Sequence, residues 1–105
     1  MHFFDTFIHW YIDNNVHGEK RPASVEVERV QTGVRLEKCL LKTLKAVAEL
    51  KDMSLGDLLE GIVLHAFEGK PAFNRETLKE IEQFKSIYGM TLKAEDSHKL
   101  KERPR

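Results

Sequence analysis

The sequence predicts a mainly α-helical protein that closes as an intertwined homodimer, in which one short strand of each chain pairs with the same strand of a second copy. Three patterns predict this fold: one stretch with the period of a strand, stretches with the period of a helix, and one helix with apolar residues on nearly all sides. A lone strand leaves its backbone groups unpaired, and two short helices cannot cover such a helix. Extra helices are expected at both ends of this unit.

Residues 1–28 are predicted to form an aromatic-rich segment followed by a loop. Residues 3–12 are predicted to form a short helix, and the stretch NNVHGEKRPAS has the composition of a connection. Four polar residues share one helical stripe and could in principle hold a metal ion: His2, Asp5, His9 and Asp13. A solvated polar face explains the stripe as well and is favoured, because a terminal helix frays. Neither a metal nor a cofactor is predicted.

The strand prediction rests on residues 25–36, VEVERVQTGVRL, in which apolar and polar residues alternate. The alternation changes phase between Val27 and Val30, which a bulge or a strand that begins near Arg29 would explain. From Arg29 onward the alternation is regular. One face of the strand then carries Val30, Thr32, Val34 and Leu36, and the other carries Arg29, Gln31, Gly33 and Arg35.

Two helices are predicted directly after the strand. The stretch EKCLLKTLKAVAELKDM places leucines at helical spacing, with Lys38, Lys42 and Lys45 on the opposite, solvated face. The second helix begins at Ser54, which fits a capping box with Asp57. Apolar residues then cover most of its circumference: Leu55, Leu58, Leu59, Ile62, Val63, Ala66 and Phe67.

The C-terminal part of the chain divides into a helical region and a polar tail. In residues 70–92, a helix is predicted at 74–88, with Asn74 as its cap and Gly89 as its end. Residues 93–105 have almost no apolar content and are predicted to be disordered.

Composition restricts the function classes. The 17 basic and 17 acidic residues cancel, but residues 29–51 hold six basic and two acidic residues, a net +4. No phosphate-binding glycine loop or nucleophile elbow is present, so no enzyme is predicted.

The single cysteine, Cys39, is interpreted as a packing residue rather than a nucleophile or redox sensor. A lone thiol, and a start with neither a basic leader nor a membrane span, predict a cytoplasmic protein with no membrane partner.

The stretch VRLEKCLLKTLKAVAELKDMSLGDLLEGIVLHAF resembles the ribbon-helix-helix (Arc-type) repressors. Residues 29–69, about two-fifths of the chain, line up with the strand, the two helices and the junctions of that family. The resemblance implies a homodimer whose paired strands form a β-ribbon in the major groove of DNA. Residues 29–69 would then form the ribbon-helix-helix domain.

Several site residues follow from this resemblance. Base contacts would come from Arg29, Gln31, Gly33 and Arg35, where arginine suits guanine and glutamine suits adenine. Gly33 departs from the pattern, because it has no side chain to read a base. Phosphate contacts would come from Ser54, Leu55 and Gly56 at a helix N-terminus, and from Lys38 and Lys42. Ser54 could instead be only a helix cap. The dimer core would contain Val34, Leu36, Leu40, Leu44, Leu58, Leu59, Ile62 and Val63.

Two hypotheses for the function follow. The first is a sequence-specific DNA-binding transcriptional regulator, of the repressor or antitoxin type, whose partners are a second copy and double-stranded DNA. The second is a homodimeric protein-interaction module with the same fold that has lost DNA binding. Neutral net charge and Gly33 favour the second, and a protein partner could then bind residues 1–13 or 74–88.

Overall fold

A computed structural model describes residues 24–104 of the chain. They form three α-helices, which are α1 (Lys38–Leu50), α2 (Leu55–Phe67) and α3 (Arg75–Tyr88), and a short 3-10 helix at Ala94–Asp96. The mainly α-helical character agrees with the sequence prediction. The helix predicted within residues 3–12 lies outside the described residues, and the predicted domain limits stay predictions.

The prediction of a strand at residues 29–36 is wrong for this structure. Residues 24–37 contain no regular secondary structure, and no strand forms between residues 24 and 104. A strand exists through its ladder of hydrogen bonds to a neighbouring strand, and alternation of side chains does not supply that neighbour. The ribbon-helix-helix fold class predicted from this strand is therefore corrected to a three-helix arrangement preceded by an irregular, exposed segment.

Each helix begins at a side chain that accepts a hydrogen bond from a free backbone N–H group. Ser54 Oγ accepts from the N–H of Asp57 at 3.1 Å, and Asn74 Oδ1 accepts from the N–H of Thr77 at 2.8 Å. At the start of α1, the Glu37 carboxylate accepts from the N–H of Leu40 at 2.8 Å, which lowers the pKa of Glu37. The caps at Ser54 and Asn74 stand where the sequence predicts them.

The helices end in turns of one kind. After α1, the N–H groups of Asp52 and Met53 donate to the carbonyls of Glu49 and Ala48, both at 3.0 Å. Asp52 has a φ of 62°, in the left-handed region, and this is the Schellman arrangement. Gly89 takes the equivalent position after α3, with a φ of 68°. Asp52 therefore carries a side chain at a position that favours glycine.

The core centres on α1, which packs against both α2 and α3 and more extensively against α3. Among the described residues, three apolar side chains are buried: Val47, Ala48 and Leu58. Six partly buried apolar residues surround them: Leu44, Met53, Ile62, Phe73, Ile81 and Phe84. An ion pair between Lys51 and Glu80, at 3.2 Å, joins the end of α1 to α3.

We expect Asp52→Gly to stabilise the fold by about 1 kcal/mol, because glycine removes the strain of a left-handed side-chain-bearing residue. Gly89→Ala is the matched reverse change. A β-carbon at Gly89 would meet no atom within 4 Å, so its cost comes from the backbone alone and should be about 1 kcal/mol. Urea denaturation followed by circular dichroism measures both. A loss of stability in Asp52→Gly would contradict this account of the turn.

Candidate functional site

The segment before α1 exposes apolar side chains to solvent. Every residue from 24 to 36 is exposed, and Val30 and Val34 are 78% and 73% accessible. Val25 and Val27 are also exposed. Four accessible valines within ten residues form an apolar surface that nothing between residues 24 and 104 covers.

The C-terminal half of α2 adds a second exposed apolar surface. Leu64 is 65% accessible and Phe67 is 81% accessible, and Val63 is also exposed. Leu58 is the one residue of this helix that is buried. The sequence predicted apolar residues around most of the circumference of α2, and packing against α1 covers only one side of it.

The eight predicted dimer-core residues have different environments within the single chain. Leu58 is buried, and Leu40, Leu44, Leu59 and Ile62 are partly buried. The other three, Val34, Leu36 and Val63, are exposed. Leu40 and Leu44 lie on α1 and line a cavity toward α3, so part of their surface already faces the chain's own C-terminal region.

Arg29 lies against α2. Its guanidinium donates two hydrogen bonds to the Glu60 carboxylate, at 2.9 and 2.8 Å, and lies 3.8 Å from the Asp57 carboxylate. The hydrogen bonds to Glu60 raise the pKa of Arg29, and those from Arg29 lower the pKa of Glu60. This bidentate pair joins the exposed segment to the start of α2 across 31 residues of sequence.

Arg35 is paired with the C-terminal tail. Its guanidinium donates a hydrogen bond to the carboxylate of Glu102, and both side chains remain mostly exposed. The sequence pattern indicates a role for Arg35 but none for Glu102. A contact across 67 residues leaves no local pattern by which it could be found.

The other proposed DNA contacts are accessible. Gln31 and Gly33 are exposed, and a β-carbon built on Gly33 would meet nothing within 4 Å. Lys38 and Lys42 are exposed on α1, and the Lys42 ammonium lies 5.9 Å from the centre of the Tyr88 ring. That position allows a cation–π interaction, which would have to be broken if Lys42 moved to a phosphate.

The N-terminus of α2 has a defined geometry. Ser54 acts as its cap, while Leu55 and Gly56 form the first turn. Asp57 adds a carboxylate in the same turn, which complements the helix dipole and would repel an approaching phosphate. A β-carbon at Gly56 would lie 3.9 Å from Ser54 Oγ, an ordinary contact, so packing within the chain does not require glycine there.

The remaining residues singled out in the sequence are Cys39 and the polar stripe near the N-terminus. Cys39 is partly buried, and its carbonyl accepts a hydrogen bond from Thr43 at 2.9 Å. The stripe of His2, Asp5, His9 and Asp13, and the proposed partner segment at residues 1–13, lie outside the described residues. In residues 24–104, no three metal-binding side chains converge. The helices of that range include none with the length and apolar character needed to cross a membrane.

No protein-family model, characterised protein or solved structure significantly matches this chain. The resemblance to the ribbon-helix-helix repressors therefore stays a prediction from the residues themselves.

Proposed function

We propose that this protein is a homodimeric, sequence-specific DNA-binding regulator of transcription that contacts DNA through the exposed segment at residues 24–36. The observation that carries the proposal is the composition of that segment. It contains accessible valines, which are expected to be buried against a protein partner. It also contains Arg29, Gln31 and Arg35, whose side chains can hydrogen-bond to the edges of bases.

A second copy is the partner that best fits the apolar surface. The exposed valines and the apolar half of α2 belong to the same chain, so two copies related by a twofold axis could cover both at once. The formal net charge is zero, and two copies therefore do not repel each other strongly. Burial of large apolar side chains supplies the free energy of association.

Side-chain chemistry and local charge support DNA as the second partner. Arginine makes bidentate contacts to guanine, and glutamine makes them to adenine. In a dimer these side chains would be presented twice, which suits a site made of two related halves. The lysines of α1 follow directly, so the most basic part of the chain adjoins the proposed reading segment.

A protein-interaction module without DNA binding is the second candidate, and the ion pairs of the two arginines favour it. Arg29 is held by Glu60, and Arg35 is held by Glu102. DNA would have to displace these carboxylates from both side chains. Exposed ion pairs contribute only about 0–1 kcal/mol, so a phosphate or guanine can compete with them, but an affinity for DNA is reduced by each pair that must be broken.

The dimer is tested with Leu64→Ser/Phe67→Ser. We expect the unmodified protein to sediment as a dimer at micromolar concentration, and the variant to dissociate at least about a hundredfold more readily, because both lost side chains count twice in a symmetric interface. Ile87→Ser on α3, where Ile87 is 70% accessible, is the control and should leave the dimer unchanged. Sedimentation of the unmodified protein as a folded monomer would overturn the proposal.

Base contacts are tested with Arg35→Ala on a site selected from random DNA sequences. We expect discrimination between the selected site and unrelated DNA to fall by about 1–3 kcal/mol for each bidentate contact removed. Lys38→Gln should instead weaken all sequences alike and reduce the salt dependence of binding. Fluorescence anisotropy at several salt concentrations separates the two effects. If no DNA is selected, or if Arg35→Ala changes nothing in a folded dimer, the interaction module becomes the better account.

Glu102→Gln tests the competition for Arg35. Because it removes the carboxylate that pairs with the arginine, we expect up to about fivefold tighter binding to the same DNA, consistent with a weak exposed pair. Glu95→Gln, an exposed carboxylate in the same C-terminal region, gives the effect of lost charge alone. Equal gains from both variants would show that general repulsion, rather than the pair with Arg35, limits the affinity.

A further inference from the structure

A cavity of about 390 Å³ lies between α1 and the C-terminal half of the chain. Leu40, Leu44 and Val47 of α1 form one wall, and Phe73, Ile81 and Leu100 are among the apolar residues that form the rest. The cavity opens to solvent, and its volume lies in the range of roughly 300–1,000 Å³ typical of small-molecule sites. Neither the proposed self-association nor the proposed DNA contacts account for it.

Two of the polar side chains among the lining residues, those of Thr43 and Asp96, form hydrogen bonds within the chain. The Thr43 hydroxyl donates to the Cys39 carbonyl at 2.9 Å, and the Asp96 carboxylate accepts from the backbone N–H of Lys93 at 2.8 Å. Most of the lining residues are apolar, so an occupant needs few hydrogen-bonding groups along most of its length. The interior suits an apolar body.

The charged residues of the lining indicate which polar group an occupant should carry at one end. Two basic residues, Lys85 and Lys93, and one acidic residue, Asp96, are among the residues that line the cavity. The Lys85 ammonium forms an ion pair with Glu82 of its own helix at 3.1 Å, and the Glu82 side chain is largely exposed, so this i,i+3 pair is weak. The lining thus has an excess of positive charge beside an apolar interior, which complements an anion with an apolar tail.

We propose that the cavity binds one small amphipathic monocarboxylic acid, with its apolar chain between α1 and α3 and its carboxylate against Lys85 and Lys93. This site is separate from the exposed segment at residues 24–36 and does not depend on DNA binding. A cavity of this volume holds a single chain or ring system, and it is too small for a lipid with two acyl chains.

Calorimetry on the full chain tests this with decanoate below its micelle concentration, beside decanol and decyltrimethylammonium. We expect saturable binding of one decanoate per chain, tighter than binding of either comparison compound. Lys85→Gln and Lys93→Gln should each weaken decanoate binding roughly threefold to fivefold and leave decanol unaffected. Lys79→Gln, an exposed change on α3 outside the lining, is the control.

Leu100→Glu adds an independent variant, because this residue is half-exposed and its replacement should be tolerated by the fold. The new carboxylate should abolish decanoate binding and strengthen binding of decyltrimethylammonium. Amide chemical shifts should change on α1 and in residues 90–100 upon binding, rather than on α2. Three results would overturn the proposal: no saturable binding, equal binding of decanoate and decanol, or an unchanged affinity in both lysine variants.

Discussion

Packing of α1 against α3 determines which apolar surfaces of this protein remain uncovered. The two helices share the larger interface, held by buried Val47 and Ala48 and tied at one end by the ion pair of Lys51 with Glu80. Beside this interface, α2 buries Leu58 fully and Leu59 and Ile62 in part. The valines of residues 24–36 pack on none of the three described helices and are exposed. Within the described residues, the exposed apolar surface thus follows from the limited area of one helix.

The arginines of the exposed segment are the second feature on which the proposed DNA binding depends. Their pairing with carboxylates keeps a cationic surface neutral in the isolated chain, which agrees with the zero net charge of the whole sequence. Nonspecific attraction to nucleic acid is thereby weakened, since that attraction depends on uncompensated positive charge. Specific contacts suffer less, because an arginine that leaves a weak exposed pair can gain two directed hydrogen bonds at a base edge.

The cavity and the exposed face of α2 are separate surfaces, because no residue of α2 lines the cavity. Leu40 and Leu44 face the cavity, whereas Leu64 and Phe67 face solvent on the next helix. Helix α1 therefore connects a site suited to a small apolar anion with the region suited to a second chain. Leu100 of the cavity lining lies two residues before Glu102, the partner of Arg35.

The sequence by itself determined the features that depend on neighbours a few residues away. Helix period located all three described helices, and Ser54 and Asn74 cap α2 and α3 as predicted, since a cap forms with a backbone group three residues ahead. The all-round apolar pattern of α2 is matched by apolar side chains of this helix that stay exposed among residues 24–104.

Only the tertiary structure decided the features that need distant partners. Alternation at residues 29–36 predicted a strand, but the described chain offers that segment no hydrogen-bonded neighbour, so none forms. The pairs of Arg29 with Glu60 and of Arg35 with Glu102 join residues 31 and 67 positions apart, and the cavity arises where α1, α3 and residues 90–100 meet. Such contacts depend on how the helices pack. Side-chain periodicity shows which face of a helix is apolar, but it does not show which residues will pack against that face.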